Sequence, residues 1–175
     1  MQLWPFDYLI WTGILFCISQ SAMFSGLNLV LLGISRLRLE VEAQAKNTEA
    51  IKILSLRKDF NFLLATILWG NVSINVLLSL LSDSVMAGVT AFFFSTFLIT
   101  FAGEIAPQAY FSRHAMRMGS LLAPVLRIYQ FILYPIAKPS AIVLDRWLGE
   151  EGIRYFRERD LRTLIHKYIE IADTI

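Results

Sequence analysis

The segment that decides the fold is Tyr8–Ser35, YLIWTGILFCISQSAMFSGLNLVLLGIS, in which no side chain is charged. It is longer than the roughly 20 residues that an α-helix needs to cross the hydrocarbon core of a bilayer. It is not a removable signal peptide, since no Lys or Arg precedes Arg36 and the apolar run is too long. The single cysteine, Cys17, lies inside it, which excludes a disulfide framework. We therefore predict a first membrane-spanning helix.

Two further uncharged runs follow, at Phe60–Ser82 and Ser84–Gly103. The whole chain has 175 residues, 56% of them hydrophobic, and a mean hydropathy of +0.56. A chain of this length cannot bury three such helices in a water-soluble core and still cover them. The sequence predicts an all-α membrane protein with three transmembrane helices.

The positions of the basic residues predict the orientation of these helices. Six Lys and Arg side chains lie between the first and second runs, none lies between the second and third, and Arg113, Arg117 and others follow the third. Because basic loops prefer the cytoplasmic side, we expect a multi-pass protein of the cell (inner) membrane with its N-terminus outside and its C-terminus in the cytoplasm. The basic residues then face the inner leaflet of the lipid bilayer, and we expect no nucleic-acid partner.

The segment from Met118 to Leu144 is apolar but is interrupted by Arg127, Lys138 and three prolines. A fourth crossing, the alternative, would place the basic C-terminal segment outside. We predict instead a kinked juxtamembrane helix along the inner interface. Residues 34–58 are expected to form short cytosolic connector helices. Residues 1–149 would form the transmembrane domain, and 150–175 the start of a larger cytosolic helical bundle.

Polar groups inside the runs are costly in a membrane and often functional, and they fall into three clusters. Ser21, Ser25 and Asn28 share one face of the first helix, and Asn71 and Asn75 share one face of the second. The third cluster, Gly103, Glu104 and Pro107, lies at the inner end of the third run. Measured along each helix, the clusters could meet between mid-membrane and the cytoplasmic face. The alternative for the serines and glycines is helix packing.

Pro107 lacks an N–H and would leave the carbonyl of Gly103, four residues earlier, without its helical hydrogen bond. The clusters therefore combine hydroxyls, amide oxygens, a carbonyl and the carboxylate of Glu104. Such hard oxygen ligands suit Mg²⁺, Ca²⁺ or Na⁺ and do not suit zinc or copper. The chain has no Ser-His-Asp pattern, no Cys/His metal spacing and no glycine-rich phosphate loop, so we predict that it is not an enzyme.

Three motifs resemble signatures of one transmembrane domain: SAMFSGLN at Ser21–Asn28, GNVSIN at Gly70–Asn75 and GEIAPQAYFSRHA at Gly103–Ala115. This domain, also called DUF21, belongs to the CNNM/CorC (CorB) magnesium transport proteins, and the resemblance runs from about Tyr8 to Gly149. Many bacterial members have a serine-glutamate pair after the glycine of the first motif, where this chain has Leu27 and Asn28. That departure removes no proposed oxygen ligand.

The resemblance implies a homodimer in which a kinked helix surrounds the three spans like a belt. It also implies a largely dehydrated Mg²⁺ in a cavity open to the cytoplasm. The metal ligands that it implies are Ser21, Ser25, Asn71, Asn75, Gly103 and Glu104. ATP would act only through a pair of CBS domains that these 175 residues do not contain. We expect export of Mg²⁺ from the cytoplasm, with Na⁺ as the candidate coupling ion; the alternative is a membrane Mg²⁺ sensor that does not transport.

Overall fold

The computed structural model describes residues 5–86 and 88–148, and every regular element in these two ranges is a helix. The predicted cytosolic segment 150–175 lies outside the described residues. In chain order the elements are α1 (Pro5–Gly33), α2 (Arg36–Gln44), α3 (Thr48–Leu56), a 3₁₀ turn (Arg57–Asp59), α4 (Phe60–Val85), α5 (Val89–Phe97), a π-helical segment (Leu98–Ile105), α6 (Ala106–Arg113), α7 (Ala115–Ile132) and α8 (Tyr134–Leu148).

Three helical stretches within the described ranges are long and apolar enough to cross a membrane, namely Tyr8–Gly33, Thr48–Val85 and Val89–Arg113. The prediction of an all-α, multi-pass membrane protein is therefore confirmed. The third stretch differs from the prediction, because it continues to Arg113 instead of ending at Gly103. Pro107 does not stop this helix, since it occupies the first turn of α6, where a missing N–H disrupts least. Glu104 consequently lies within a continuous helical rod and not at its end.

The connector between the first two crossings is helical, as predicted. The side chain of Ser35 accepts a hydrogen bond from the backbone N–H of Arg38 at the start of α2, and Asn47 does the same for Glu49 at the start of α3. These N-caps satisfy backbone donors that a helix start otherwise leaves unpaired. α3 buries Ala50, Ile53 and Leu56 against the rest of the molecule, which fixes the connector at the end of the bundle where α1 ends and α4 begins.

The segment after the third crossing forms the predicted kinked pair, with α7 and α8 meeting at a bend of 91°. The first half lies deeper than a helix on the interface would. α7 contacts α1 near Val30 through Gly119 and again at Gln20, where the Tyr129 hydroxyl donates a 2.8 Å hydrogen bond to Gln20 Oε1. Ten residues of α1 separate these contacts, which corresponds to a rise of about 15 Å.

The second half of the pair, α8, returns along the first turns of α4. Lys138 forms an ion pair with Asp59, and Trp69 Nε1 donates a 3.0 Å hydrogen bond to Ser140 Oγ. Between these contacts, Ala65 packs against Ala137 and Ala141, all three of which are buried. The kinked pair therefore packs against two of the crossings: α7 contacts α1, and α8 contacts α4.

Two glycines let the central helix α1 approach its neighbours closely. A Cβ added at Gly70 of α4 would lie 2.4 Å from the Phe24 ring of α1, and one added at Gly26 of α1 would lie 2.5 Å from the Phe111 ring of α6. No real side chain tolerates such distances. Small residues at helix contacts are the usual means of close approach in membranes. They bring the polar faces of the three crossings together.

Candidate metal centre

The polar faces of α1 and α4 meet at Ser21 and Asn75. Ser21 is completely buried, and its hydroxyl donates a 2.6 Å hydrogen bond to Asn75 Oδ1. Asn75 Nδ2 in turn lies 3.4 Å from Asn71 Oδ1, one turn earlier on α4. Three of the predicted ligands therefore form one connected polar group from two crossings.

The third crossing reaches the same group through backbone. A Cβ added at Gly103 would lie 2.6 Å from Ser21 Oγ and 3.3 Å from Ser21 Cβ. Gly103 is buried, and the missing side chain is what allows its backbone to lie against the Ser21 hydroxyl. The structure thus brings Gly103 together with Ser21, Asn71 and Asn75.

The helix is π-helical where it makes this contact, from Leu98 to Ile105. The last bond of this type runs from the Ala106 N–H to the Phe101 carbonyl, five residues earlier. Pro107 follows and has no N–H, so neither the Ala102 carbonyl (five residues earlier) nor the Gly103 carbonyl (four earlier) can receive a bond from it. Carbonyl oxygens at this depth need another partner: a neighbouring group, water or a cation. π-helical turns are frequent at functional sites.

A second polar contact lies one turn further along α1. Gln108 of α6 donates a 2.8 Å hydrogen bond from Nε2 to the buried Ser25 Oγ. The predicted ligand Ser25 is therefore not bonded directly to the Ser21 group but sits beside it, facing the residue that follows Pro107. Gln108 was not among the predicted ligands, although it belongs to the third motif.

Asn28 completes the polar face of α1. Its Oδ1 is the one buried side-chain oxygen or nitrogen of the described residues that has no hydrogen-bond partner. Leaving such a group unpaired costs about 1–3 kcal/mol, so this oxygen would gain from pairing with a ligand or with water. The sequence analysis placed Asn28 on the face of Ser21 and Ser25 but not among the ligands.

Glu104 behaves differently from the other predicted ligands. The residue is partly buried, and its carboxylate makes no hydrogen bond or ion pair within residues 5–86 and 88–148. It lies four residues before Gln108 on the same helical rod, and therefore on a similar face. The structure places its carboxylate on the crossing that lines the site without bonding it to the Ser21 group.

The chemistry of this centre is that of a hard cation site. Hydroxyl, amide and carbonyl oxygens dominate it, and no three His, Cys, Asp or Glu side chains in the described part of the chain are grouped closely enough to hold a metal. Mg²⁺ binds octahedral oxygens at 2.0–2.1 Å, so adjacent ligands on it lie about 2.9 Å apart. The Ser21 and Asn75 oxygens come from different helices and are 2.6 Å apart because they are hydrogen-bonded to each other, so an ion that bound both would replace that hydrogen bond.

Comparison with known proteins identifies the same domain. The model of the cyclin M (CNNM) transmembrane N-terminal domain matches residues 12–171. The metal transporter cnnm-1 of Caenorhabditis elegans is 35% identical over 151 residues, which are 84% of this chain and 18% of the relative.

Two further relatives come from a plant and a yeast. A DUF21 domain-containing protein of Arabidopsis thaliana is 35% identical over 156 residues, 87% of this chain and 37% of the relative. Protein MAM3 of Saccharomyces cerevisiae is 32% identical over 149 residues, 82% of this chain and 21% of the relative. The chain thus spans less than two fifths of the length of the curated relatives that it matches.

Proposed function

The chain belongs to the family defined by the cyclin M (CNNM) transmembrane domain, and on that premise we propose that it is an ion-transport domain that carries Mg²⁺. The observation that supports this most is the convergence of three crossings on one group of oxygens, with Ser21 bonded to Asn75 and packed against Gly103. A relative that bears the name metal transporter, cnnm-1, agrees with the proposal. No step in it requires catalysis.

In this proposal, Ser21, Asn71 and Asn75 bind the ion from α1 and α4, and the carbonyls next to Pro107 bind it from the third crossing. Ser25, Asn28 and Gln108 form the neighbouring shell of oxygens. Glu104 contributes negative charge that offsets the cost of a divalent ion in a medium of low dielectric constant.

The expected orientation decides from which side of the membrane the ion would enter the site in this proposal. α3, from the basic connector, packs against the start of α7, since a Cβ at Gly119 would lie 3.0 Å from Ile53 Cδ1. The two basic parts of the chain, 34–58 and the region of Arg113 and Arg117, therefore lie at one end of the bundle. With that end in the cytoplasm, we propose that the chain collects Mg²⁺ there and exports it, with Na⁺ entry as the driving reaction and a homodimer as the working unit.

Reconstitution of the purified chain in liposomes tests the proposal. A Mg²⁺-sensitive dye inside the vesicles reports flux with and without a Na⁺ gradient, and thermal unfolding in a Mg²⁺ titration reports binding. Ser21→Ala should lower the flux and the apparent Mg²⁺ affinity at least tenfold, because it removes one oxygen from the site. The matched control is Ser84→Ala at the opposite end of α4, where the exposed hydroxyl bonds only to the Leu80 carbonyl.

Three results are informative. Loss of flux in Ser21→Ala with normal flux in Ser84→Ala supports transport through this site. Binding without flux under any gradient supports the alternative, a Mg²⁺ sensor that uses the same oxygens. Equal Mg²⁺ affinity in wild type and Ser21→Ala would refute the assignment of the site.

A further inference from the structure

A groove of about 690 Å³ lies away from the metal centre, where α1 ends and α4 begins, with α2 and α3 forming its other wall. Among the described residues, its charged lining consists of three basic side chains, Arg36, Arg57 and Lys58, and one acidic side chain, Glu40. Glu40 is itself paired, since its Oε1 lies 2.8 Å from Arg36 Nε. The groove therefore carries a net positive charge.

The positive charge is held in place by the fold. Arg57 donates a 2.6 Å hydrogen bond from Nη1 to the Ile34 carbonyl, and its guanidinium lies 5.3 Å from the centre of the Phe60 ring. Arg127 of α7 is a fourth basic residue at the edge of the groove. It donates a 2.9 Å hydrogen bond to Ser55, which lines the groove. An anion that enters would meet charge that is already positioned, which reduces the entropic cost of binding.

Apart from Ser35 and Ser55, the remaining lining of the groove is apolar and continues the surfaces of two crossings. Leu32 belongs to the last turn of α1, Phe60 begins α4, and Ile51 projects from α3. Leu32 and Ile51 are 45% and 48% exposed. Basic and apolar walls thus meet where two transmembrane helices end, which is the depth of lipid phosphates and of the first acyl carbons.

We propose that this groove binds the headgroup phosphate of an anionic phospholipid of the inner leaflet. Arg36, Arg57 and Lys58 attract the phosphate, and Leu32 and Ile51 contact the acyl chains near the glycerol. Charge alone would admit inorganic phosphate as well. The apolar wall favours the lipid, because a free anion gains nothing from Leu32 and Ile51.

Native mass spectrometry of the whole 175-residue chain in a zwitterionic detergent tests this, with EDTA present so that no divalent ion bridges phosphates. Dioctanoyl phosphatidylglycerol is titrated against dioctanoyl phosphatidylcholine and against inorganic phosphate. The wild type should bind phosphatidylglycerol at least tenfold more tightly than either. Lys58→Gln should weaken phosphatidylglycerol binding about fivefold, the contribution of one basic residue near a lipid surface.

Two further variants keep the test independent of folding defects. Glu40→Gln removes the acidic group and should tighten phosphatidylglycerol binding about fivefold, which an unfolded or misfolded chain cannot do. Lys52→Gln is the matched control, since Lys52 is an exposed base on α3 that does not line the groove.

Equal effects of Lys52→Gln and Lys58→Gln would overturn the proposal, because binding would then reflect only diffuse charge. Equal affinity for inorganic phosphate would overturn it as well. Because the experiment contains no Mg²⁺, its outcome is separate from that of the transport measurement.

Discussion

The first and third crossings both supply groups to the candidate metal centre, yet they are built differently. α1 is one uninterrupted α-helix, and 56% of its most apolar 18-residue window is buried within the chain. The third crossing changes from α-helix to π-helix and back, and only 17% of its corresponding window is buried. Where they meet, α1 presents the hydroxyl of Ser21, whereas the third crossing presents the backbone of Gly103.

This difference suggests that the two crossings have different roles at the site. α1 packs against α4, α6 and α7, so its serines have fixed positions. The third crossing also packs against α1, through Gly103 and Phe111, but its hydrogen bonds are already spaced five residues apart around the site. We infer that the third crossing adjusts its carbonyls to the ion while α1 and α4 hold the remaining ligands still.

The largest expected effect comes from closing the gap between the two crossings. Gly103→Ala places a methyl group 2.6 Å from Ser21 Oγ, so the third crossing must move away from α1. Overpacking of this kind typically costs 1–3 kcal/mol, and we expect the apparent Mg²⁺ affinity to fall about tenfold to a hundredfold. The apparent Mg²⁺ affinity is measured by thermal unfolding at increasing Mg²⁺ concentrations.

Gly33→Ala is the control for that experiment, because a Cβ there meets nothing within 4 Å. It should bind Mg²⁺ normally. If Gly103→Ala also binds normally, the contact between the third crossing and Ser21 is not part of the site.

A second, smaller effect should follow from Pro107→Ala. The substitution supplies an N–H that can bond to the carbonyl of Gly103 or Ala102, and the π-helical segment can then revert to the commoner α-helix. We expect Mg²⁺ affinity to fall about tenfold while the thermal stability without Mg²⁺ stays the same or rises. Mg²⁺ titration combined with amide hydrogen exchange over 98–108 measures both consequences.

Pro124→Ala is the matched control, since Pro124 lies inside α7, is exposed and belongs to none of the three polar clusters. It should leave Mg²⁺ affinity unchanged. Loss of stability in Pro107→Ala without loss of affinity would mean that the proline serves the fold alone.

The two crossings also differ in how far their roles could be predicted from the sequence. The spacing of Ser21 and Ser25 on α1 and of Asn71 and Asn75 on α4 places each pair on one helical face, and the structure brings Ser21 to Asn75. Helical periodicity is sufficient for that, because α1 and α4 are regular. Metal binding remains a prediction for all six proposed ligands: Ser21, Ser25, Asn71, Asn75, Gly103 and Glu104.

The third crossing could not be predicted in the same way. Pro107 indicated a disturbed carbonyl at Gly103, but it did not indicate that a π-helical segment would start nine residues earlier, at Leu98. The position of Gln108 over Ser25 depends on the register of that same segment. Residues whose place follows from an irregular backbone, such as Gln108, are therefore the ones that sequence periodicity missed.

The smallest expected effect concerns Asn28 Oδ1, the unpaired side-chain oxygen on α1. Asn28→Leu replaces the amide with an apolar group of similar size and removes the buried Oδ1 that lacks a partner. Without Mg²⁺ the variant should be more stable than wild type by about 1 kcal/mol, because an unpaired polar atom no longer has to be desolvated. If Oδ1 serves the ion directly or through water, the same variant should lose part of the stabilisation that Mg²⁺ confers.

The stability without Mg²⁺ and the stabilisation by Mg²⁺ should therefore change in opposite directions, which tests the role of α1 directly. Asn61→Leu is the matched control, since the Asn61 side chain is bonded to Asp145 and its removal should destabilise the chain whether or not Mg²⁺ is present. Thermal unfolding of the three proteins with and without Mg²⁺ provides every comparison. If Asn28→Leu gains stability and keeps the full response to Mg²⁺, the unpaired oxygen is a packing defect, and the rigid crossing contributes to the ion only through its serines.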